Sequence, residues 1–248
     1  MELKKESIQM LRIKNKATSQ VTFDEDYNVP DVKPDIGRMV QSKAEVSMDE
    51  VRLSEGRALL KGTLNVDLLY VGEKEGKIYS LSAKLPMDEV INLEGIEGGD
   101  KLCLKWEIED LSVHMIHSRK LNIKAIVTFY AVVDELAVVE LPVSAEDQEV
   151  SVKTEKVRLM SLRVHKKDTL RLKEEVELVS NKPDIAELLW YTIEIRGLDL
   201  RPEEQKVKAK GELFIFVLYT GGDEGSTLQW LEHTRLTGKQ NAPAVLRR

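Results

Sequence analysis

Residues 33–72 of this 248-residue chain return as residues 182–221, displaced by 149 positions without a gap. Thirteen of the forty aligned positions are identical. Lys33-Pro34-Asp35-Ile36 becomes Lys182-Pro183-Asp184-Ile185, Lys61-Gly62 becomes Lys210-Gly211, and Leu69-Tyr70 with Gly72 becomes Leu218-Tyr219 with Gly221. Conservative pairs such as Met39/Leu188, Val46/Ile195 and Val66/Ile215 fill the gaps. A repeat of this length means two copies of one structural unit, so the fold must be built twice from the same plan.

The plan is mostly strand. Val21, Phe23, Tyr27 and Val29 are spaced by multiples of two, as are their counterparts Leu170, Leu172, Val176 and Leu178. Apolar spacing of two buries one face of a strand. Leu64, Val66, Leu68 and Tyr70 alternate with Thr63, Asn65 and Asp67. The equivalent run, Leu213 to Tyr219, is apolar on both faces, which predicts deeper burial in the second copy. Leu102–Met115 and Leu121–Val133, joined by His117-Ser118-Arg119-Lys120, read as a long hairpin. Glycine-bearing turns are expected at 72–76, 95–99 and 221–225. Ile36, Met39 and Val40, like Ile185, Leu188 and Leu189, stand at i, i+3, i+4 after a proline, which predicts one short amphipathic helix per repeat.

The expected class is therefore mainly β, with tandem sandwich- or barrel-like β repeats and one short helix in each. The expected units are 1–145 and 146–248. The second tracks the first to Leu228-Gln229-Trp230 and is expected to be truncated, with Thr237–Arg248 a frayed tail. An unfinished β-unit leaves open strand edges that invite pairing or self-association.

Composition narrows the function. Hydrophobic residues make up 42% and charged residues 32%, and 37 basic against 43 acidic residues give a net charge of −6. This is foldable material without the basic excess of a nucleic-acid binder. No apolar run is long enough to span a membrane, and Met1-Glu-Leu-Lys-Lys-Glu has no signal-peptide core. A single cysteine, Cys103, fits a reducing compartment.

Asp24, Glu25, Asp26, Asp31 and Asp35 form an acidic cluster, but without the spacing or glycine of a calcium loop. The second copy puts Lys173 and Ser180 in place of Asp24 and Asp31, so a solvated face is the better reading. His114 and His117, three apart on a strand, should point to opposite faces, and His165 and His233 are isolated. Cys103 between Leu102 and Leu104 reads as a small buried side chain. No nucleophile elbow, P-loop or dinucleotide glycine pattern occurs. Trp106, Trp190 and Trp230 are candidates for a sugar-stacking platform, although core or interface roles fit Trp190 and Trp230 better. No catalytic, cofactor-binding or metal-binding residue is assigned, no cofactor is expected, and no enzyme activity is expected.

The segment Phe23 to Ile36 (FDEDYNVPDVKPDI), with Lys61-Gly62 and Leu68-Leu69-Tyr70, resembles the SPOCS domain of spore-coat proteins from endospore-forming bacteria. Trp106 to Leu111 (WEIEDL), Ser118 to Ile126 (SRKLNIKAI) and Arg171 to Glu175 (RLKEE) extend the resemblance. So do Asn181 to Ile185 (NKPDI), Leu189-Trp190 and Gln229 to Glu232 (QWLE), so that it covers roughly residues 1–235. SipL-like members of the family pair such repeats with a C-terminal LysM module, which is not expected to follow here. The resemblance implies a non-enzymatic, spore-coat assembly protein that binds coat morphogenetic proteins in the mother-cell cytoplasm at the forespore surface. The alternative expectation is a β-module that binds a glycan or small ligand.

Overall fold

The computed structural model describes residues 2–97, 99–146, 153, 155–162, 173, 175–203, 206–222 and 227–243. These residues are mainly β, in three antiparallel three-stranded sheets. Strand β1 (Glu2–Asn28) pairs with β6 (Lys120–Glu146), which pairs with β5 (Lys101–His117). A second sheet orders β2 (Ile36–Ser54), β3 (Arg57–Gly72) and β4 (Ile78–Asn92). A third orders β7 (Ile185–Pro202), β8 (Lys206–Gly221) and β9 (Thr227–Pro243).

The first two sheets share one core. Even positions of β3 (Ala58, Leu60, Leu64, Val66, Leu68, Tyr70) and odd positions of β6 (Leu121, Ile123, Ala125, Val127, Phe129, Ala131, Val133) are buried together. Period-two alternation on the central strand of each sheet thus faces the same interior. Full burial of each large side chain contributes about 1.5–3 kcal/mol. Odd positions Phe23 and Val29 of the first strand's end join this core, as the spacing predicts.

The third sheet reproduces the second by the same 149-residue shift. β7 and β8 begin where shifted β2 and β3 begin, and Ile195 opposes Leu213 as Val46 opposes Leu64. The register irregularities of β2 after Ile36, Met39 and Met48 recur in β7 after Ile185, Leu188 and Arg196.

Those irregularities correct the expected helix. There is no helix among the described residues; residues 31–33 turn and β2 starts at Ile36. Each bulge adds one residue to the strand. Ile36, Met39 and Ser42 therefore all sit opposite residues of the buried row, Gly72, Tyr70 and Leu68. A bulged strand thereby copies the i, i+3 spacing of a helix. Val40, the extra residue of the second bulge, is exposed.

Two other expectations are corrected. β8 is not the more deeply buried copy. Phe214 to Leu218 are only half-buried, whereas Leu64, Val66 and Leu68 are inaccessible. The reason is layering: β3 lies under β6, and among the described residues no sheet is stacked on β8 in the same way. Nor does Thr237 begin a frayed tail, because the backbone of β9 pairs with β8 as far as Lys206 opposite Pro243. Of the second copy's predicted alternating positions, Leu170 and Leu172 lie outside the described residues.

β1 and β6 also run past the sandwich. Glu2–Arg12 pairs with Glu135–Glu146 beyond the last β5 partner, giving a two-stranded ribbon with exposed Leu11, Leu136 and Val138. Arg12 pairs with Glu135 and Lys5 with Glu140 across it.

Candidate functional site

The Lys33-Pro34-Asp35-Ile36 segment closes one end of the sandwich. The Lys33 amide donates to the Pro30 carbonyl at 2.9 Å, making the turn. Pro34 fixes its own φ and, by crowding, the extended conformation of Lys33. The Tyr70 hydroxyl donates to the Pro34 carbonyl at 3.1 Å, and the Glu73 amide to the Asp35 carbonyl at 2.9 Å. At Gly72 an added Cβ would meet Cε2 of Tyr79 at 2.9 Å, with Cγ of Pro34 in ordinary contact at 3.8 Å.

Arg119, at the turn between β5 and β6, fastens this loop from the other sheet. Its guanidinium donates to the carbonyls of Lys33 (2.6 Å) and Val29 (2.9 Å) and to the carboxylates of Asp35 (3.3 Å) and Asp31 (3.1 Å). Backbone bonds from Val29 to Arg119 and from Ile36 to Ser118, both 2.9 Å, complete the seam. A planar fork of five donors suits this convergence of oxygens in a way a lysine would not.

The acidic cluster is thereby accounted for. Asp24 accepts from Asn122 at 2.9 Å and pairs with Lys124 at 3.0 Å, while Asp26 pairs with Lys120 at 2.8 Å and accepts from Asn122. Hydrogen bonds from Asn122 and Lys124 hold the Asp24 carboxyl below its ordinary range, and those from Lys120 and Asn122 do so for Asp26. Asp24 and Asp26 thus form ion pairs with lysines of β6, as Asp31 and Asp35 do with Arg119. Among the described residues, no three His, Cys, Asp or Glu side chains converge to hold a metal ion.

An open cavity of about 400 Å³ lies against the loop, lined by Asp31, Lys33, Pro34, Asp35, Lys74, Glu75 and Arg119. Its charges balance. Beside it, Tyr79 donates to Glu75, a contact that pushes its phenol up to about 12. Burial raises the Tyr70 phenol as well.

The other singled-out residues do not assemble with this end. Cys103 is exposed on β5, which corrects the expected burial. The expected opposition of His114 and His117 also fails: the bulge after Met115 sets them opposite Asn122 and Lys120, two positions apart on β6 and on one face. His117 Nδ1 accepts from the Arg119 amide at 3.2 Å. His233 lies on β9, and His165 lies outside the described residues. Trp106 stands on β5, in a different sheet from Trp190 and Trp230.

The second copy keeps the latch. Tyr219 donates to the Pro183 carbonyl at 3.3 Å, and a Cβ on Gly221 would meet the Asp184 carbonyl at 2.8 Å. Around it the third sheet touches the second at one edge. Lys33 pairs with Glu187 at 3.2 Å, and the Lys43 ammonium donates to the Tyr191 carbonyl at 2.6 Å. It also lies 4.6 Å from the Trp190 ring centroid and 4.3 Å from that of Tyr191.

The two faces of the third sheet differ in a way that shift alone does not foretell. β9 is slipped by one residue relative to β4: Leu213 opposes Arg235, whereas Leu64 opposes Leu85. A one-residue slip turns every side chain over. Trp230, aligned with buried Leu81, therefore stands in one row with Leu218 and Trp190 on the face away from Leu213 and Ile215, and is 57% exposed. The Lys182 ammonium lies 4.9 Å from its ring centroid.

These features define a class first: an antiparallel β-repeat protein whose repeats are closed by a Lys-Pro-Asp-Ile turn tied to a tyrosine and a glycine. The family follows. Residues 35–116, from that turn through β5, match the family model described as SipL, SPOCS domain. The match connects the chain with a sporulation- and spore-coat-related role. No curated protein and no solved structure matches the chain. Among the described residues, no helix is long and apolar enough to cross a membrane.

Proposed function

We propose that this is a non-enzymatic structural protein of spore coat assembly, acting in the mother-cell cytoplasm at the forespore surface. It binds coat morphogenetic proteins through its β-faces and sheet edges. The observation that carries this reading is the SPOCS match over residues 35–116. The third sheet supports it, because it offers exposed Ile193, Ile195 and Tyr191 rather than a closed core. Residues 1–145 and 146–248 are read as its two units, and open edges at β7 and β9 provide for self-association. Affinity purification of the tagged chain from sporulating cells tests the reading. Recovery of coat morphogenetic proteins supports it; recovery of none counts against it.

A second reading rests on the row Trp190–Leu218–Trp230, which places two indoles on one sheet face. Neighbouring strands are about 4.8 Å apart, so the rings stand roughly 10 Å from each other, a spacing at which sugar rings can stack. Calorimetric titration with glycans separates the two readings, since only the second predicts heat that disappears in Trp230→Ala.

A further inference from the structure

The face of β7 and β8 that carries Leu188, Tyr191, Ile193, Ile195, Leu213 and Ile215 has a fully worked precedent in the same molecule. Its shifted equivalents are Met39, Ser42, Ala44, Val46, Leu64 and Val66, on the core side of the second sheet. There Val46, Leu64 and Val66 are at most 6% exposed. In the third sheet Leu188 is 47%, Tyr191 44%, Ile193 60% and Ile195 57% exposed. These four lie in one row along β7, and although their β8 partners Leu213 and Tyr219 are buried, such a row is more than the scatter of single hydrophobics found on ordinary surfaces.

What covers the equivalent face is known. β6 lies over it with Leu121, Ile123, Ala125, Val127, Phe129, Ala131 and Val133, and β5 pairs with β6 through most of that length. We infer that this face of the third sheet, whose β7 row is exposed among the described residues, is a docking surface for a β-hairpin of the β5–β6 kind: two antiparallel strands, one with apolar residues at every second position. The interface already formed between the first two sheets supplies the geometry by continuity. Size supplies a second argument. Three strands at about 4.8 Å span roughly 14 Å. One extended strand covers about a third of that width, and a hairpin covers most of it. The latch that positions the sheet is intact, with Tyr219 on Pro183 and Gly221 under Asp184. The inference rests on the protein-binding reading above and names the partner's chemistry for one surface.

The test uses the full chain and a synthetic peptide of residues 101–133 with Cys103→Ser, followed by titration calorimetry and sedimentation. Saturable one-to-one binding is expected, weakened at least about tenfold by the double change Ile193→Lys and Ile195→Lys. The pair Ile193→Ala and Ile195→Ala should weaken it less, and Thr192→Lys, on the opposite face, should leave it unchanged. Circular dichroism checks that each variant is folded, and the alanine pair serves if the lysine pair is not. A peptide with Leu121, Ile123, Val127 and Phe129 changed to Ser should not bind. Absence of binding by the unaltered peptide overturns the inference. So does binding that survives both double variants, or a dimer of the chain alone that the lysine pair dissolves, since a second copy is then the occupant. If the peptide fails to bind while coat proteins are still recovered from sporulating cells, the inference falls and the coat-assembly reading stands.

Discussion

The Tyr70 hydroxyl donates to the Pro34 carbonyl at 3.1 Å, and 149 residues later Tyr219 repeats the bond to Pro183 at 3.3 Å. Proline contributes a carbonyl and a fixed φ but no amide, so the turn it shapes must be held from outside by a donor. Tyr70 is wholly buried at the end of the central strand and supplies that donor. Tyr70→Phe keeps the ring and leaves the carbonyl without it. The expected cost is about 1 kcal/mol, read as a lower urea midpoint with unchanged slope. An unaltered midpoint contradicts the latch.

Ile36 and Ile185 are identical in motif and opposite in surroundings, at 1% and 48% exposure. Ile36→Asp places a charge in the shared core and should cost about 4 kcal/mol or more. Ile185→Asp should stay within about 0.5 kcal/mol. Thermal unfolding of the two variants side by side checks this, and equal losses would mean the second sheet pair is covered as the first is.

Gly62 and Gly211 are also equivalent, yet a Cβ at Gly62 would stand 2.5 Å from the Ser47 carbonyl oxygen, and one at Gly211 3.3 Å from that of Arg196. The first contact requires backbone to move across the β2–β3 ladder. Gly62→Ala should therefore destabilise by about 1–3 kcal/mol, and Gly211→Ala by clearly less. Chemical denaturation of both proteins measures the difference.

Acid should loosen the sandwich through three named carboxylates. Asp24, Asp26 and Asp100 are all held below their ordinary value of 3.8, Asp100 by the Glu97 amide and then by Lys14. A depressed folded value contributes stability that is present above 3.8 and lost as pH falls through the folded values. Asn substitution at the three positions should flatten the fall in melting temperature below about pH 4. At the alkaline end the sign reverses. The Tyr79 phenol is raised from 10.0 to about 12, so its contribution holds below pH 10 and is lost on the way to 12. Tyr79→Phe should flatten that limb.

Much of the fold was legible in particular residues. Alternation at Leu64, Val66, Leu68 and Tyr70 marked a half-buried strand, and the turn at Ser118-Arg119 joined the expected hairpin. The Ile36–Met39 spacing misled because bulges and helices both yield three-residue intervals, and only the pairing partner tells them apart. The β1–β6 ribbon was missed because strands exposed on both faces have no apolar side to alternate against. At the latch, the repeat picked out Pro34, Tyr70 and Gly72 together. Arg119 left no sign of its own, since its role arises from carbonyls at residues 29 and 33, which carry no side-chain signature. The slip of β9 was likewise hidden. Aligning Trp230 with Leu81 gives its position in the chain but not its face of the sheet.

Electron microscopy of spores from a strain lacking this chain, with and without the wild-type gene restored, bears most directly on the coat-assembly account. A coat that is detached or misplaced in the deletion strain and returns to the forespore with the restored gene is the predicted result. A coat of normal thickness and attachment in the deletion strain would contradict it.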